Sequence, residues 1–245
     1  MLGVTLIVLA IFLLQTPWKQ SPKNTIKPPD FKIVFIGDSM TEYLGNFDEL
    51  QADLQSYYPG KTFLLLNYGY GSTNLLTVPD RLEKETSHSG RMFQPINDID
   101  FNLVLIESFG HNPLSQYSLD EGLAKQNQLL DQIIGSITRK HPHSSIVFVA
   151  TIAPNKENYG LGTVDLTPEK RIEWANERIS YIQNHINYAN SRNIPLINIY
   201  QKSLDQTGDG KLEYISNTDH IHPSPDGVYF ISQEIADFIF SNHLL

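Results

Sequence analysis

From about residue 30 onward, short runs of apolar and β-branched residues alternate with longer stretches whose apolar residues recur every three or four positions. The short runs predict buried strands, and the longer stretches predict amphipathic helices. This alternation is typical of an α/β fold in which helices cover both faces of a parallel sheet. The strands predicted in this way span residues 32–36, 62–67, 102–107, 145–151 and 195–200.

Three of the predicted helices have recognisable start signals. Ser118 and Glu121 have the spacing of a capping box, and Thr167 and Ser224 each stand directly before a proline, which is favoured in the first helical turn. Because the carboxyl ends of parallel strands meet at one edge of the sheet, we expect the reactive residues just after the strands. The apolar residues that these helices are predicted to bury are Leu123, Leu130, Ile134 and Ile137, then Ile172, Ala175, Ile179, Ile182, Ile186 and Ala189, and finally Val228, Ile231, Ile235 and Phe238.

The first residues of the chain differ in character from the rest. Residues 2–14 are apolar and uncharged, and a segment rich in Pro, Lys and Ser follows them. We expect residues 1–17 to form a membrane anchor or signal segment, residues 18–30 a tether, and residues 31–245 one catalytic domain. This pattern favours a protein that is membrane-anchored and extracytoplasmic, or secreted. The lysines beside the apolar run follow it, however, whereas the positive-inside rule prefers them before it.

Charge and composition narrow the chemistry. The 245 residues carry a formal net charge of −9, and Lys and Arg are scattered, so no basic stripe is available for nucleic acid, which we do not expect as a partner. The sequence has no cysteine, which excludes thiolate nucleophiles and zinc held by cysteine. Reactive groups must therefore come from Ser, His, Asp, Glu, Asn or Tyr.

The first predicted strand ends in the tetrapeptide that runs from Gly37 through Asp38 and Ser39 to Met40. Glycine permits a tight turn without a Cβ clash, and the serine then falls at the beginning of a helix on the sheet edge. Two interpretations follow. Ser39 presents a nucleophilic oxygen to a ligand, or Ser39 or Asp38 only caps the helix.

The next two predicted strands also end in glycine-containing segments. Gly69 and Gly71 lie in a polar turn after the second strand, which either points a backbone N–H into a cleft as an oxyanion donor or is only a loop. Gly110 and Asn112 follow the third strand, and Asn112 offers a side-chain amide at the same edge. Four flanking residues are candidates for lining a pocket, namely Tyr43, Tyr70, Phe109 and His111. Aromatic side chains in such positions are, however, more often part of the core.

A fourth motif lies between the last predicted strand and the last helix. Asp219 precedes His222 by three residues, so its carboxylate can accept a hydrogen bond from Nδ1 while Nε2 faces a serine across the cleft. Pro223 restricts the backbone of His222 and helps to hold that geometry. The alternatives are a surface turn, or a metal site built from Asp219, His220 and His222 with His111 as a further ligand.

These four short blocks, in this order and at predicted strand exits, resemble the motif blocks of the SGNH, or GDSL, hydrolases. The resemblance covers residues 31–245 and implies a flavodoxin-like three-layer α/β/α sandwich with a five-stranded parallel sheet. It also implies ester hydrolysis through an acyl-enzyme, without a metal or another cofactor. By motif match, Ser39 is the nucleophile and His222 is the base, which Asp219 orients.

The resemblance also implies an oxyanion hole made of the Ser39 N–H, the Gly71 N–H and the side-chain amide of Asn112. Two positions depart from the family pattern. The family usually has Gly-Asp-Thr or Gly-Ala-Thr in its second block, and residues 71–73 fit it only if the turn is one residue shorter, which leaves Gly69 as the alternative donor. Pro113 follows Asn112 where the family has Asp, so a supporting carboxylate is missing.

The function that this resemblance implies is that of a serine esterase. The activities common in this family, together with the expected membrane tether, favour removal of a small acyl group, such as acetyl, from a carbohydrate or cell-envelope component. One alternative is an esterase of lipids or lysophospholipids. The other is a catalytically silent binding module on the same fold, for which the missing Asp after Asn112 is the reason.

Overall fold

The computed structural model describes residues 27–245. The predicted anchor, residues 1–17, and the first part of the predicted tether lie outside this range. Within it, no helix combines the length and the apolar character that crossing a bilayer requires.

The elements alternate along the chain as the hydrophobic pattern predicts. The strands are β1 (Phe31–Gly37), β2 (Phe63–Gly69), β3 (Thr86–His88), β4 (Arg91–Phe93), β5 (Leu103–Glu107), β6 (Ser145–Ala150) and β7 (Leu196–Asn198). The helices are α1 (Ser39–Glu42), α2 (Asp48–Tyr57), α3 (Val78–Glu83), α4 (Leu119–Lys140), α5 (Pro168–Ser191), α6 (Ile199–Lys202) and α7 (Pro225–Ser241).

Five of the strands form one parallel sheet in the order β2-β1-β5-β6-β7. This arrangement confirms the predicted α/β fold with its five-stranded parallel sheet. The last strand is shorter than predicted, because it ends at Asn198. The side chain of Asn198 accepts a hydrogen bond from the N–H of Gln201, and this cap begins α6 at Ile199, so Ile199 and Tyr200 are helical and not extended.

The core lies on both faces of the sheet. Successive side chains of a strand point to opposite faces. Ile33 and Phe35 of β1 therefore belong to the apolar cluster that packs beneath α2 and α7, whereas Val34 and Ile36 belong to the cluster on the α4 side. Burial on both faces explains why the strands read as continuous apolar runs and not as alternating ones.

The predicted helix starts agree with the structure. Ser118 and Glu121 form a complete capping box, and the side chains of Thr167 and Ser224 accept hydrogen bonds from N–H groups in the first turns of α5 and α7. One predicted core position is wrong. Ile172 in α5 is 39% exposed, because the buried face of this helix passes through Arg171 and Ala175 instead.

The hairpin formed by β3 and β4 has no counterpart in the predicted elements. Its strands are three residues long, too short for a period to be recognised, and its turn places Ser89 (φ 48°) and Gly90 (φ 74°) in the left-handed region. The hydroxyl groups of Tyr70 and Thr86 lie 2.7 Å apart and hold the hairpin against the exit of β2. The hairpin therefore reaches the edge of the sheet where the motif residues lie.

His185 in α5 is a titratable residue inside the core. It is completely buried, and its ring stacks on Phe148 of β6 with 4.3 Å between the ring centroids. Burial lowers the pKa of His185 to about 3. The folded chain therefore keeps this imidazole neutral, whereas the unfolded chain protonates it below about pH 6.5.

We expect His185 to lower the stability of the protein between pH 7 and pH 5, because at this position the unfolded state binds a proton that the native state excludes. For a single buried histidine the loss at pH 5 amounts to about 2 kcal/mol of unfolding free energy. His185→Leu should raise the unfolding free energy at pH 5 relative to pH 7 by that amount compared with the wild type, as measured by urea unfolding at both pH values. The control His143→Gln, at an exposed position, should leave it unchanged. Equal pH dependence in His185→Leu and the wild type would contradict this account.

Candidate active site

The exit of β1 is shaped by the close approach of α1 to the sheet. A Cβ atom on Gly37 would lie 1.9 Å from Thr41 Oγ1, and one on Gly69, its neighbour in β2, would lie 2.3 Å from the backbone nitrogen of Glu42. Gly37 does not adopt a left-handed conformation, so the requirement there is space and not a special backbone angle. The two glycines allow α1 to begin directly on the edge of the sheet.

Asp38 and Ser39 have different roles at this point. The side chain of Asp38 caps α1 by accepting a hydrogen bond from the N–H of Met40 at 2.8 Å. The capping interpretation is therefore right for Asp38. Ser39 is the first residue of α1, and its Oγ lies 2.9 Å from Nε2 of His222.

His222 connects Ser39 to Asp219. Nδ1 of His222 lies 2.7 Å from Oδ2 of Asp219, so the carboxylate requires the imidazole proton on Nδ1 and leaves Nε2 free to accept from the Ser39 hydroxyl. Oδ1 of Asp219 accepts two further hydrogen bonds, from the N–H groups of Ile221 and His222 at 2.9 and 3.0 Å. The three side chains form one line of hydrogen bonds across the sheet edge.

The charge on Asp219 is maintained by this same network. Burial raises the pKa of Asp219, but the hydrogen bonds from the His222 side chain and from the N–H groups of Ile221 and His222 outweigh it and leave the pKa below its ordinary value of 3.8. Asp219 is therefore ionised at neutral pH. A fixed carboxylate at Nδ1 stabilises the imidazolium that forms if His222 accepts a proton.

Tyr43 covers the imidazole of His222. The two rings stack with centroids 3.9 Å apart and planes inclined by 1°, while 49% of Tyr43 remains exposed. The tyrosine restricts the tilt of the imidazole, so His222 is held by Asp219 at one end and by a ring on its face.

His220 does not join this group. Its Nδ1 lies 3.0 Å from the carbonyl oxygen of Leu161, and its backbone is left-handed (φ 54°). Among the residues that the structure describes, no three His, Asp or Glu side chains lie close enough together to hold a metal ion. The arrangement of Asp219, His220 and His222 as metal ligands is therefore not formed.

Asn112 and Gly71 are the predicted oxyanion donors, and both lie at the cleft. Nδ2 of Asn112 donates to Oδ2 of Asp38 at 2.9 Å, which fixes the amide plane and leaves its second N–H for a ligand. The N–H of Gly71 donates to Oε2 of Glu42 at 2.9 Å. The N–H of Gly69 donates to Oδ1 of Asn67 within the end of β2, and Gly69 does not line the cleft, which favours Gly71 over Gly69.

Two carboxyl groups are buried beneath the site. Burial raises the pKa of Asp38, against the hydrogen bonds from Asn112 and Met40, and burial together with the charge of Asp38 raises the pKa of Glu107 well above its usual range. Glu107 therefore favours its neutral, protonated form. Its Oε2 lies 3.4 Å from the N–H of Asp38, and its Oε1 accepts a hydrogen bond from the hydroxyl of Ser108 at 2.7 Å.

Arg81 binds the exits of β1 and β2 to each other. Nη1 donates to the carbonyl oxygens of Gly37 and Tyr68 at 2.7 and 2.9 Å, and Nη2 donates to the hydroxyls of Thr73 and Thr77. Arg81 is only 1% exposed, and burial lowers its pKa to about 10, which still leaves it charged at neutral pH. Nothing in the sequence pattern identifies this role, because an isolated Arg in an amphipathic helix is usually a surface residue.

The site opens into a cleft of about 310 Å³. Of the predicted lining residues, Tyr43 and His111 are present, whereas Tyr70 and Phe109 are buried in the core. Tyr159, Trp174 and Arg178 also line the cleft, and the sequence did not identify them because they lie on α5 and on the loop before it, away from the motif blocks. Glu42, Ser72 and Ile221 were not identified either, although they lie beside motif residues. The complete lining consists of Ser39, Glu42, Tyr43, Gly71, Ser72, His111, Asn112, Tyr159, Trp174, Arg178, Ile221 and His222.

Three loops around the site contain a left-handed residue that is not glycine. Ser72, Phe109 and His220 have φ values of 57°, 53° and 54°, and each belongs to a different motif block. Such residues cost roughly 1 kcal/mol or more each and persist when their surroundings fix them. Their presence at these three points indicates loops that are held in place by packing and hydrogen bonds.

Fold and site together define an α/β protein of the SGNH type, with four motif blocks at the edge of a parallel sheet. The chain belongs to the GDSL-like Lipase/Acylhydrolase family, whose model matches residues 35–228. Among curated proteins, none matches this sequence.

Several solved structures share the fold at low identity. A lipase/acylhydrolase from Enterococcus faecalis is 17% identical to this chain, with a TM-score of 0.61. The match covers 86% of this chain and 96% of that protein's chain. The acetyl xylan esterase AlAXEase is 14% identical with a TM-score of 0.59, covering 83% and 97%. A GDSL-like lipase from Bacteroides thetaiotaomicron is 14% identical with a TM-score of 0.57, covering 86% and 88%.

We expect Arg81→Met to destabilise the protein by about 3 kcal/mol or more, because it removes a hydrogen-bond donor from two carbonyls and two hydroxyls, and the Gly37 carbonyl keeps only the N–H of Tyr70. The free energy of unfolding in urea measures the loss. Arg139→Met, at an exposed position of α4, is the matched control and should change stability by less than about 0.5 kcal/mol. Similar stability of the two variants would show that the Arg81 contacts contribute little.

Proposed function

We propose that this protein is a serine hydrolase that cleaves carboxylic esters through an acyl-enzyme. One observation carries the proposal, namely the continuous line of hydrogen bonds from Ser39 Oγ through the imidazole of His222 to the carboxylate of Asp219. Ser39 is the nucleophile, His222 is the general base, and Asp219 orients His222.

The reaction proceeds in two stages. Nε2 of His222 removes the proton of Ser39 while Oγ attacks the ester carbonyl carbon, and the tetrahedral intermediate collapses as His222 protonates the departing alcohol. In the second stage, His222 deprotonates a water molecule, which attacks the acyl-enzyme and releases the carboxylic acid. Asp219 stays ionised throughout, consistent with its lowered pKa. No step requires a metal ion.

The negative charge on the carbonyl oxygen needs donors at the same edge. The N–H of Ser39, the N–H of Gly71 and the second amide N–H of Asn112 are assigned to this role. Loss of one such preorganised donor lowers the rate about 10²- to 10³-fold. Asp38 supports the assignment because its hydrogen bond holds the Asn112 amide plane fixed.

The lining of the cleft supports a small acyl group and a polar leaving group. Among the described residues that line it, Ile221 is the one aliphatic side chain, whereas Tyr43, Tyr159 and Trp174 offer aromatic faces and Arg178 offers donors. A long acyl chain would find little apolar surface to cover it. Removal of acetyl from a carbohydrate or cell-envelope component fits this cleft, and an acetyl xylan esterase has the same fold.

Only the sequence bears on the location of the protein. Residues 1–17 as an anchor or signal segment, and an extracytoplasmic or secreted location, remain predictions, because these residues lie outside the described range. A substrate in the cell envelope is consistent with them.

We expect a fluorophosphonate probe to label Ser39 covalently, because the His222 base activates its hydroxyl. Mass mapping of the labelled peptide identifies the residue, and Ser39→Ala should lose both the label and ester hydrolysis. The matched control Ser180→Ala, at a partly exposed position of α5, should keep both. Hydrolysis that survives in Ser39→Ala and stops on addition of EDTA would point to metal chemistry instead.

We expect kcat/KM to fall with acyl length along a series of p-nitrophenyl esters from acetate to octanoate. The physical reason is that the cleft buries little of a longer chain and the polar lining must be desolvated. A preference for octanoate would favour the lipid or lysophospholipid esterase. Absence of turnover for the whole series, with Ser39 unlabelled by the probe, would favour the silent binding module.

A further inference from the structure

Glu42 occupies an unexpected place in the cleft. Its Oε2 accepts the hydrogen bond from the N–H of Gly71 at 2.9 Å, the same N–H that the proposed function assigns to the substrate carbonyl oxygen. A Cβ atom on Gly71 would lie 2.3 Å from Oε2, so the contact depends on glycine at this position. The carboxylate thus takes the place that a substrate oxygen requires.

Glu42 and a reacting ester compete for this donor. One N–H cannot serve a carboxylate and a developing oxyanion at full strength, and a carboxylate one contact away would repel the oxyanion. A productive complex therefore requires Glu42 Oε2 to release the Gly71 N–H. A carboxylate that gives up one hydrogen-bond donor needs another donor in its place, from water or from the ligand.

The other contacts of Glu42 indicate the source of a new hydrogen-bond donor for Oε2. Oε1 lies 3.2 Å from Nε2 of His88 and 3.5 Å from the hydroxyl of Ser89, both on the hairpin of β3 and β4. His88 is held there by stacking on Tyr70, with ring centroids 4.7 Å apart. Both groups lie beside Oε1, and Nε2 of His88 makes no hydrogen bond there. Glu42 lines the cleft, and a ligand that fills the cleft displaces water from it, so the ligand is the source of the new donor for Oε2.

We propose that Glu42 is a specificity-determining residue that selects esters carrying a hydroxyl next to the ester group; this rests on the proposed ester hydrolysis. When the carbonyl oxygen takes the Gly71 N–H, Oε2 of Glu42 accepts a hydrogen bond from that hydroxyl. The substrate class is partly acylated polyols, including sugars with a free hydroxyl beside the acylated one. An ester without the hydroxyl leaves Oε2 without a donor and reacts more slowly.

A pair of isosteric esters tests this proposal. 2-Hydroxyethyl acetate and propyl acetate differ by a hydroxyl in place of a methyl group, and the wild type should prefer the former in kcat/KM by about ten- to hundred-fold, the value of one hydrogen bond to a charged group. Glu42→Ala should bring the ratio close to that of the uncatalysed reaction, mainly through faster hydrolysis of propyl acetate. Glu42→Gln, which keeps an acceptor without the charge, should give an intermediate ratio.

Glu49→Ala, an exposed acidic position in the first turn of α2, is the control and should keep the wild-type ratio. Thermal unfolding shows whether each variant is folded, and Glu42→Gln carries the test if Glu42→Ala is not. An unchanged ratio, or an equal change for both esters, overturns the role of Glu42 even where Ser39 takes the phosphonate label. Failure of the proposed function is distinguishable, because then neither ester is hydrolysed and Ser39 remains unlabelled.

Discussion

The packing of α1 directly on the ends of β1 and β2 is the constraint on which the site depends. Gly37 and Gly69 are partners in the parallel register, and a side chain on either would enter space that α1 occupies. Protein interiors do not yield to an added methyl group without displacement of the neighbouring elements. Because Ser39 and Glu42 are the first and last residues of α1, this packing sets where both side chains lie. The 2.9 Å contact between Ser39 and His222, which are 183 residues apart, therefore depends on the absence of side chains at the two glycines.

Buried polar groups convert this packing into a fixed geometry. Asp38 is inaccessible to solvent and uses its oxygens to cap α1 and to hold Asn112, so the exits of β1 and β5 move as one unit. Arg81 does the same for the exits of β1 and β2 through Gly37 and Tyr68. A buried charge is costly unless hydrogen bonds satisfy it, so these contacts are strongly constrained in geometry. The fixed positions of the exits of β1, β2 and β5 follow from that cost.

The sequence was informative where physical signals are local. Continuous apolar runs located the sheet strands, and capping residues such as Ser118 located the helix starts, because both depend on neighbours in the chain. The grouping of Ser39, Asp219 and His222 could also be predicted, since strand exits of a parallel sheet share one edge. The roles of Arg81 and Glu42 could not be predicted from the sequence. Their contacts join segments far apart in sequence, and in the chain each looks like an ordinary polar position in an amphipathic helix.

The position after Asn112 shows how a departure from a family pattern can be compensated. The family has an Asp there, and Pro113 cannot provide a carboxylate. The structure supports the amide from another side, because Asp38 accepts one of the two N–H groups of Asn112 at 2.9 Å. An amide fixed in this way has the direction of its second N–H determined by its own planarity, which is the orientation that the missing carboxylate would otherwise supply. The missing Asp therefore gives no reason to regard the site as silent, because the orientation it would supply comes from a residue next to Ser39.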